Sequence, residues 1–381
     1  MARFAFVTWD GAGNQTPAIG LAAALKVRGH EVTFAGYDGQ RERYTSLGFP
    51  FRTLGRAQQL WPTSPPPDWM PVLVDAVWAC RQHLRDIPDV LAAEHYDAMV
   101  IDCLMFAALA AAEREPVPTA VLLHSTPNAL VPPGGGLDQL ALAGVNETRT
   151  DAGLPAVDTL WDTWRDFPVV CAGAPDLDPP THHEPPALEY VGPVFEPRRG
   201  APWSRPWPAQ DKRPLVLVSF SSGQAWDQAS RIGRTLAALP AERHRVLVTT
   251  GLADVSRVAV QGDAVLVPFV PHVDVLPHAS VTVTHGGHGT VVASLAHGVP
   301  LVALPNPAAD QPALAAQIER LGVGIALDGE SATPEQIADA VHTVLDDDSY
   351  AARARELART ISALPGPEGA VALLERMAKS G

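Results

Sequence analysis

A short stretch near residue 285 carries groups that bind anions. The apolar run Val281–Thr284 stops at a His-Gly-Gly sequence that begins at His285, and an apolar-periodic segment follows over residues 291–296. This pattern predicts a strand, a tight glycine turn and a helix. A helix N-terminus presents free backbone N–H groups, and glycine lets an anion approach the backbone closely. Because His285 and Thr290 add side-chain donors, the pattern predicts a site for a diphosphate.

The same region carries groups that bind hydroxyls. A second apolar run, residues 301–304, leads to Pro305 and then to the pair Asp310 and Gln311. Carboxylate and amide side chains suit sugar hydroxyls, because together they accept and donate hydrogen bonds. The pair lies one β-α step, 25 residues, after His285. The spacing therefore predicts a site for a sugar joined to a nucleotide diphosphate.

This order of residues resembles the donor-binding signature of GT-B glycosyltransferases, the large family of natural-product (macrolide-type) and plant nucleotide-sugar glycosyltransferases. The family pattern is His-Gly-Gly-x-Gly-Thr, Gly-Val-Pro, Pro and Asp-Gln, and the chain has it at 285–290, 298–300, 305 and 310–311, after Pro-Phe-Val-Pro at 268–271. The resemblance implies an α/β protein of the GT-B fold, with two Rossmann-like, doubly wound domains and a cleft between them. It also implies an inverting, metal-independent enzyme that moves a sugar from a dTDP- or UDP-sugar to a hydrophobic small molecule, with no cofactor beyond the nucleotide-sugar co-substrate.

The resemblance and the turn chemistry together place the donor-binding groups in the second half of the chain. The donor-binding candidates are Ser219, Ser222, Phe269, Val270, His285, Gly286, Gly287, Gly289, Thr290, Asp310 and Gln311. Two departures from the family bear on the donor. Ala293 stands where the family often has a ribose-binding glutamate, and Leu314 stands where an asparagine often follows Asp-Gln. Since a deoxyribose lacks one hydroxyl and a deoxysugar lacks others, both changes favour a dTDP-linked deoxysugar.

The base that takes the acceptor proton is the point where the sequence departs most from the family. The family's usual base is a histidine in the turn after the first strand, and Asn14 stands at that position. An amide cannot act as a base, although it can orient a hydroxyl. The family's supporting aspartate matches Asp102. Three residues are candidates for the base: His124, at the end of the strand over 120–123, Asp102 acting directly, and Asp10. We favour His124 with Asp102 or Asp10 assisting; the alternative is that His124 is a core or capping histidine.

Three other functions fit the sequence less well than sugar transfer. Asn14 would also fit a catalytically weak, nucleotide-sugar-binding auxiliary protein of a glycosyltransferase complex, although the intact pair Asp310 and Gln311 argues against an idle site. A dinucleotide-dependent dehydrogenase is disfavoured because Thr16 replaces the third glycine of the fingerprint that begins at Gly11. A GT-B epimerase lacks the acidic and basic residues for its chemistry at recognisable places.

Alternating apolar runs and helical segments must position these groups, and repeated β-α-β steps predict parallel, doubly wound sheets. The predicted strands cover residues 4–9, 31–36, 97–101, 119–123, 215–218, 245–249, 264–267, 281–284 and 301–304. The predicted helices cover residues 17–28, with Thr16 as N-cap, 105–113, 225–238 and 291–296, with further helices after Thr333 and Pro367.

The predicted domains follow from these elements and from one proline-rich stretch. We expect an acceptor-binding domain over 1–195, a linker over 196–213, a nucleotide-sugar-binding domain over 214–365 and a last helix over 366–381 that crosses back to the first domain. Residues 56–71 and 131–167 interrupt the alternation and are expected to be long loops. Their tryptophans Trp61, Trp69 and Trp161 are candidate walls of an apolar acceptor pocket.

Composition excludes several classes of function. The net charge of −14 disfavours binding to nucleic acid, which needs a basic surface. No apolar run among the 381 residues reaches the length of a membrane span, and the N-terminus is expected to be a strand rather than a signal peptide. The three cysteines lack metal-ligand spacing and fit core thiols in a reducing compartment, so we expect a cytoplasmic protein. We also expect it to be a monomer or a homodimer.

Overall fold

Buried apolar runs in the first half of the chain form one parallel sheet in the computed structural model, which describes residues 1–11, 13–183, 185–198, 202–220, 227–307 and 309–380. The strands of this sheet are β1 (Arg3–Val7), β2 (Glu31–Gly36), β3 (Phe51–Thr53), β4 (Ala98–Asp102), β5 (Thr119–Leu123), β6 (Val169–Cys171) and β7 (Leu188–Tyr190). They lie in the order β3-β2-β1-β4-β5-β6-β7, and every pair is parallel. This is the doubly wound order, in which the direction of strand addition reverses between β1 and β4.

Side-chain alternation along these strands builds a core on each face of the sheet. On β1, Phe4 and Phe6 pack on one face, while Ala5 and Val7 pack on the other. The helices that cover the sheet are α1 (Gln15–Val27), α2 (Arg41–Ser46), α3 (Met70–Leu73), α4 (His83–Ala93), α5 (Phe106–Ala112), α6 (Pro127–Leu130) and α7 (Gly136–Asp151). Strands buried on both faces explain why their sequences are continuously apolar.

The second half of the chain forms another doubly wound sheet. Its strands are β8 (Leu215–Ser219), β9 (Arg245–Thr249), β10 (Val265–Val267), β11 (Val281–Thr284), β12 (Leu301–Ala303) and β13 (Gly324–Ala326), in the order β10-β9-β8-β11-β12-β13. Its helices are α8 (Gln228–Ala238), α9 (His272–Val275), α10 (His288–Ala296), α11 (Gln311–Arg320), α12 (Pro334–Asp346) and α13 (Asp348–Ser362). The order reverses between β8 and β11. Two Rossmann-like α/β sheets were predicted and are confirmed.

The chain divides into two compact units whose limits differ from the predicted domains. Unit 1 comprises residues 1–173, 180–197 and 365–381, and unit 2 comprises residues 174–179 and 198–364. Residues 174–179, inside the predicted first domain, therefore belong to unit 2, where the Gln317 side chain donates to the carbonyl of Asp176 at 2.6 Å.

The C-terminal helix α14 (Gly366–Ser380) belongs to unit 1. Its apolar residues Ala370, Val371 and Leu374 pack in the core formed with α1. Glu375 accepts two hydrogen bonds from Arg28, at 2.7 and 2.8 Å, and lies 2.9 Å from His30. These contacts connect α14 to the segment that follows α1.

The structure corrects two local predictions. Residues 131–167 are not a long loop, because they contain the 16-residue helix α7 and a 3₁₀ turn at Leu160–Trp164. Helix α1 begins at Gln15 rather than at residue 17, and Thr16 is not its N-cap; the Thr16 hydroxyl instead donates to Glu196 at 3.1 Å. The capping box at Thr333 is confirmed, since Thr333 and Gln336 exchange side-chain-to-backbone hydrogen bonds of 2.9 and 3.3 Å.

Among the residues that the structure describes, no helix combines the length and the apolar character that crossing a bilayer requires.

Candidate functional site

Two sets of polar residues lie at the points where each sheet reverses direction, and each set belongs to one unit. In unit 1, Asp102 ends β4, Trp9 and Asn14 follow β1, and His124 follows β5. In unit 2, Ser219 ends β8, His285 follows β11, and Asp310 and Gln311 follow β12. The carboxyl ends at such a reversal are where open α/β sheets bind ligands. The topology therefore makes both sets candidate sites.

The Asp102 carboxylate is the centre of the unit 1 set. Its side chain is 1% exposed. One oxygen, Oδ1, accepts hydrogen bonds from the Trp9 indole N–H and the Leu104 backbone N–H, each at 3.0 Å. The other, Oδ2, accepts from Asn14 Nδ2 at 3.2 Å and lies 3.0 Å from His124 Nδ1. Four donors thus satisfy a buried charge that would otherwise be costly.

His124 forms a histidine–aspartate pair with Asp102. Burial lowers the pKa of His124, but the Asp102 carboxylate raises it more, so the net pKa lies well above the ordinary value of 6.5. The carboxylate selects the tautomer with a proton on Nδ1, which leaves the lone pair on Nε2. The side chain is 13% exposed. This arrangement can accept a proton at Nε2, and the role of His124 as the base stays a prediction.

The neighbouring Cys103 thiol lies 3.5 Å from His124 Nδ1. Asp102, Cys103 and His124 each offer one metal-ligand atom within 4.8 Å of the others, and they form the single such trio in the described part of the chain. The Asp102 and His124 atoms of that trio already bond to each other, and burial raises the pKa of the Cys103 thiol. That the reaction needs no metal stays a prediction.

The other two catalytic candidates of unit 1 have different surroundings. Asn14, 3% exposed, uses Nδ2 as a double donor, to Asp102 and to the Trp9 carbonyl at 3.1 Å. Both Nδ2 partners are acceptors, so Nδ2 orients the carboxylate, whereas the buried Oδ1 has no hydrogen-bond partner among the described residues. The Asp10 carboxylate accepts from Gln15 at 3.1 Å and bonds to neither His124 nor Asp102. Burial raises the pKa of Asp10.

The predicted acceptor-pocket tryptophans divide into two groups. Trp61 is half-buried and packs against Tyr37 and Trp69, with ring centroids 4.9 and 5.7 Å apart. Trp161 lies in the hydrophobic core at 2% exposed. Trp161 therefore offers no open face to a ligand in this structure, whereas Trp61 and Trp69 do.

The glycine turn of unit 2 has the predicted geometry. Gly286 adopts a φ of +79°, which favours glycine, and its N–H donates to the Thr284 hydroxyl at 3.3 Å. Gly287 is the N-cap of α10, and a Cβ built on it would lie 2.4 Å from Nε2 of His285. The imidazole thus lies directly against the glycine backbone. Gly289 and Thr290 follow in the first turn of α10, where the Thr290 N–H donates to the Gly287 carbonyl at 3.1 Å.

His285 is held as a neutral imidazole whose single N–H is already hydrogen-bonded. Burial lowers its pKa to about 4, and the Ser219 carbonyl, which accepts a hydrogen bond from the ring, opposes that shift. The Ser219 hydroxyl itself is buried and accepts from Thr249 at 2.9 Å, so Ser219 contributes to the site through its backbone. Ser222, the second predicted serine, lies outside the described residues.

The predicted sugar-binding pair lies at the start of α11. Asp310 and Gln311 are each 9% exposed. Gln311 Oε1 accepts the backbone N–H of Asn306 at 3.0 Å, which turns the amide nitrogen away from that loop. The lead-in residues differ: Phe269 is 79% exposed, whereas Val270 is buried. Ala293 and Leu314, at the two family departures, are 3% and 0% exposed.

Sequence reasoning missed Trp9 and Asn306. Trp9 donates to Asp102, yet an indole directly after an apolar strand resembles a core residue in sequence. Asn306 connects Gln311 to the guanidinium of the buried Arg231, to which it is hydrogen-bonded. The one available signal was position, because Trp9 is the last residue of the strand predicted over 4–9 and Asn306 lies two residues after the strand predicted over 301–304.

Comparisons with known proteins agree with this geometry. Residues 233–377 match the family model described as "Erythromycin biosynthesis protein CIII-like, C-terminal domain". The chain is similar to demethyllactenocin mycarosyltransferase of Streptomyces fradiae (29% identity, covering 98% of this chain and 86% of the relative). It is also similar to O-mycaminosyltylonolide 6-deoxyallosyltransferase of the same organism (26% identity, 99% and 98% covered).

Solved structures share the fold. The glycosyltransferase VinC, solved in complex with dTDP, superposes with a TM-score of 0.74 at 19% identity, over the whole of both chains. At that identity the likeness shows the GT-B fold alone. Because the similar proteins are named glycosyltransferases, the chain is a glycosyltransferase of the GT-B fold that is similar to those of natural-product biosynthesis.

Proposed function

We propose that this glycosyltransferase is an inverting enzyme that transfers a deoxysugar from a dTDP- or UDP-sugar to a hydrophobic small-molecule acceptor. The observation that carries the proposal is the pair of polar sets at the two sheet reversals. Unit 2 has a neutral histidine and a helix N-terminus suited to a diphosphate, and unit 1 has a histidine–aspartate pair suited to proton transfer.

The proposed reaction assigns one task to each group. The acceptor oxygen attacks the anomeric carbon as the bond from that carbon to the diphosphate oxygen breaks, and the electron pair leaves with the diphosphate. Backbone N–H groups at the start of α10 stabilise the leaving anion, and the His285 imidazole donates to it after taking up a second proton from solvent. The acceptor proton moves to His124 Nε2, and Asp102 stabilises the imidazolium that forms. Direct displacement on the face opposite the leaving group inverts the anomeric centre.

Three observations support a deoxysugar donor. A relative of this chain is named for 6-deoxyallose transfer, and a protein of the same fold binds dTDP. At the family's ribose-binding position the chain has Ala293, whose side chain cannot bond a 2′-hydroxyl. The fully buried Leu314 offers the sugar no polar group. We assign the hydroxyls that a deoxysugar keeps to Asp310 and Gln311 at the start of α11.

The acceptor and the compartment are further parts of the proposal. Trp61 and Trp69 form a half-buried aromatic surface suited to an apolar aglycone. The cysteines Cys80, Cys103 and Cys171 are buried and form no disulfide, which suits a reducing cytoplasm.

A donor screen tests the proposal. Purified protein is incubated with dTDP- and UDP-linked hexoses and deoxyhexoses and a panel of hydrophobic phenols and alcohols, and products are identified by mass spectrometry and by the anomeric coupling constant. We expect an inverted glycoside and release of the nucleoside diphosphate. Tight nucleotide binding with no product from any pair would instead favour the auxiliary-protein alternative that Asn14 raised.

A further inference from the structure

We propose that Trp9 is a positioning residue for proton transfer, acting through the Asp102 carboxylate on His124. The inference rests on the proposed role of His124 as the base, and it assigns a function to an indole that no sequence signature marks.

The first step of the argument is the geometry at Asp102. Its two oxygens are divided between two pairs of donors: Oδ1 takes Trp9 and Leu104, and Oδ2 takes Asn14 and His124. The Leu104 donor is a backbone N–H two residues along the same chain segment. Trp9 is thus the one side chain among the described residues that fixes Oδ1, and it thereby fixes the rotation of the carboxylate that presents Oδ2 to His124.

The second step is that Trp9 is itself rigidly held. It is 9% exposed. Its ring lies against Gly11, where a Cβ would meet ring atoms at 2.5 to 2.8 Å, so any other residue at position 11 would displace the indole. Its carbonyl accepts from Asn14 Nδ2 at 3.1 Å. Asn14 therefore bonds both the carboxylate and the residue that holds the carboxylate.

The third step is electrostatic. An N–H donor directs its positive end at the carboxylate and offsets part of the negative charge that His124 experiences. Removing the donor strengthens the effect of Asp102 on His124, and the pKa of His124 rises further. Two other titratable groups near the pair are kept neutral at neutral pH, because burial raises the pKa of both Cys103 and Tyr44. Asp10, the remaining acid nearby, is bonded to Gln15.

The test is Trp9→Phe in the full-length enzyme, which keeps an aromatic side chain and removes the N–H together with the ring atoms that lie against Gly11. We expect kcat to fall about tenfold, as for loss of one hydrogen bond to a charged group, with an unchanged KM for the donor. The acid limb of the kcat–pH profile should move to higher pH. Trp207→Phe is the matched control, because it removes another buried indole donor, which bonds the Asp263 carbonyl in unit 2 at 3.1 Å.

A measurement on the unmodified enzyme keeps the proposal testable if Trp9→Phe does not fold. In ¹⁵N-labelled protein the indole N–H resonance of Trp9 should titrate with the same pKa as the His124 ring. A Trp9 resonance that ignores the His124 titration, or a Trp9→Phe profile that stays at the wild-type position, overturns the role of Trp9. If His124→Asn retains full kcat, the role of His124 as the base is refuted. The role of Trp9 depends on that base and is then refuted as well.

Discussion

Replacing His124 by asparagine should remove the base while leaving the site intact. The asparagine amide can donate to Asp102 from about the position of the imidazole Nδ1, as Asn14 already does at 3.2 Å. Even without that bond, Asp102 keeps the donors Trp9, Leu104 and Asn14. The free energy of unfolding should therefore fall by only about 1 kcal/mol.

The effect on catalysis should be much larger. General-base catalysis contributes about 10²- to 10⁴-fold, or about 3–5 kcal/mol of the barrier, so kcat should fall by that factor. KM for the donor should stay unchanged, because the donor groups lie in the sequence of unit 2. Steady-state kinetics with a saturating alcohol acceptor give both parameters, and a melting curve reports folding. His95→Asn is the matched control, since His95 lies 3.3 Å from Asp97 in another histidine–aspartate pair but is 78% exposed.

Asn14→His in the His124→Asn background gives a second readout. It places an imidazole where the family carries its base, beside the same Asp102 oxygen, and should restore kcat at least about tenfold over the single variant. If His124→Asn stays within threefold of wild type while the melting curve is normal, the assignment of His124 is refuted. A double variant no faster than the single one would refute the idea that Asp102 can serve either position.

Three further predictions concern pH, the glycine turn and the C-terminal helix. Because a base works deprotonated and the pKa of His124 is raised above 6.5, kcat should increase with pH and reach half its maximum above pH 6.5; a half-maximum below that value contradicts the pairing with Asp102. Gly287→Ala, whose Cβ would lie 2.4 Å from the His285 ring, should weaken nucleotide binding about tenfold in calorimetry, whereas Gly55→Ala, with no atom within 4 Å, should not. Glu375→Gln should lower the melting temperature at pH 7; since the Arg28 and His30 contacts lower the pKa of Glu375 from 4.5 to about 2, the difference should be present above pH 4.5 and vanish as pH falls through about 2.

Local sequence patterns were sufficient to predict the strands and the glycine turn around the candidate donor site. The bounds of β2, β5, β9 and β11 agree with the predicted ones, because continuous apolar runs bounded by turn residues are a short-range signal. The turn at Gly286 follows from a conformation that glycine alone adopts easily.

Local patterns failed where tertiary contacts stabilise the element. Residues 131–167 appear as a loop in sequence because glycines and prolines precede a helix of mixed polarity. In the structure α7 is stabilised by long-range bonds, among them the Arg149–Glu113 ion pair and the hydrogen bond from Thr148 to the Ala79 carbonyl. Trp161 was assigned to a pocket because an aromatic residue in a presumed loop needs a partner, and that partner is the core.

The sequence by itself determined the fold class, the donor turn and the departure at Asn14, since each depends on residues close together in the chain. Only the tertiary structure decided which side chains surround the Asp102 carboxylate. The register of β4 beside β5 brings Asp102 and His124 together, and the adjacent β1 brings Trp9 and Asn14 to the same carboxylate. Topology could predict that these residues share one edge of the sheet. Which atoms bond is set by side-chain packing between strands that are distant in sequence.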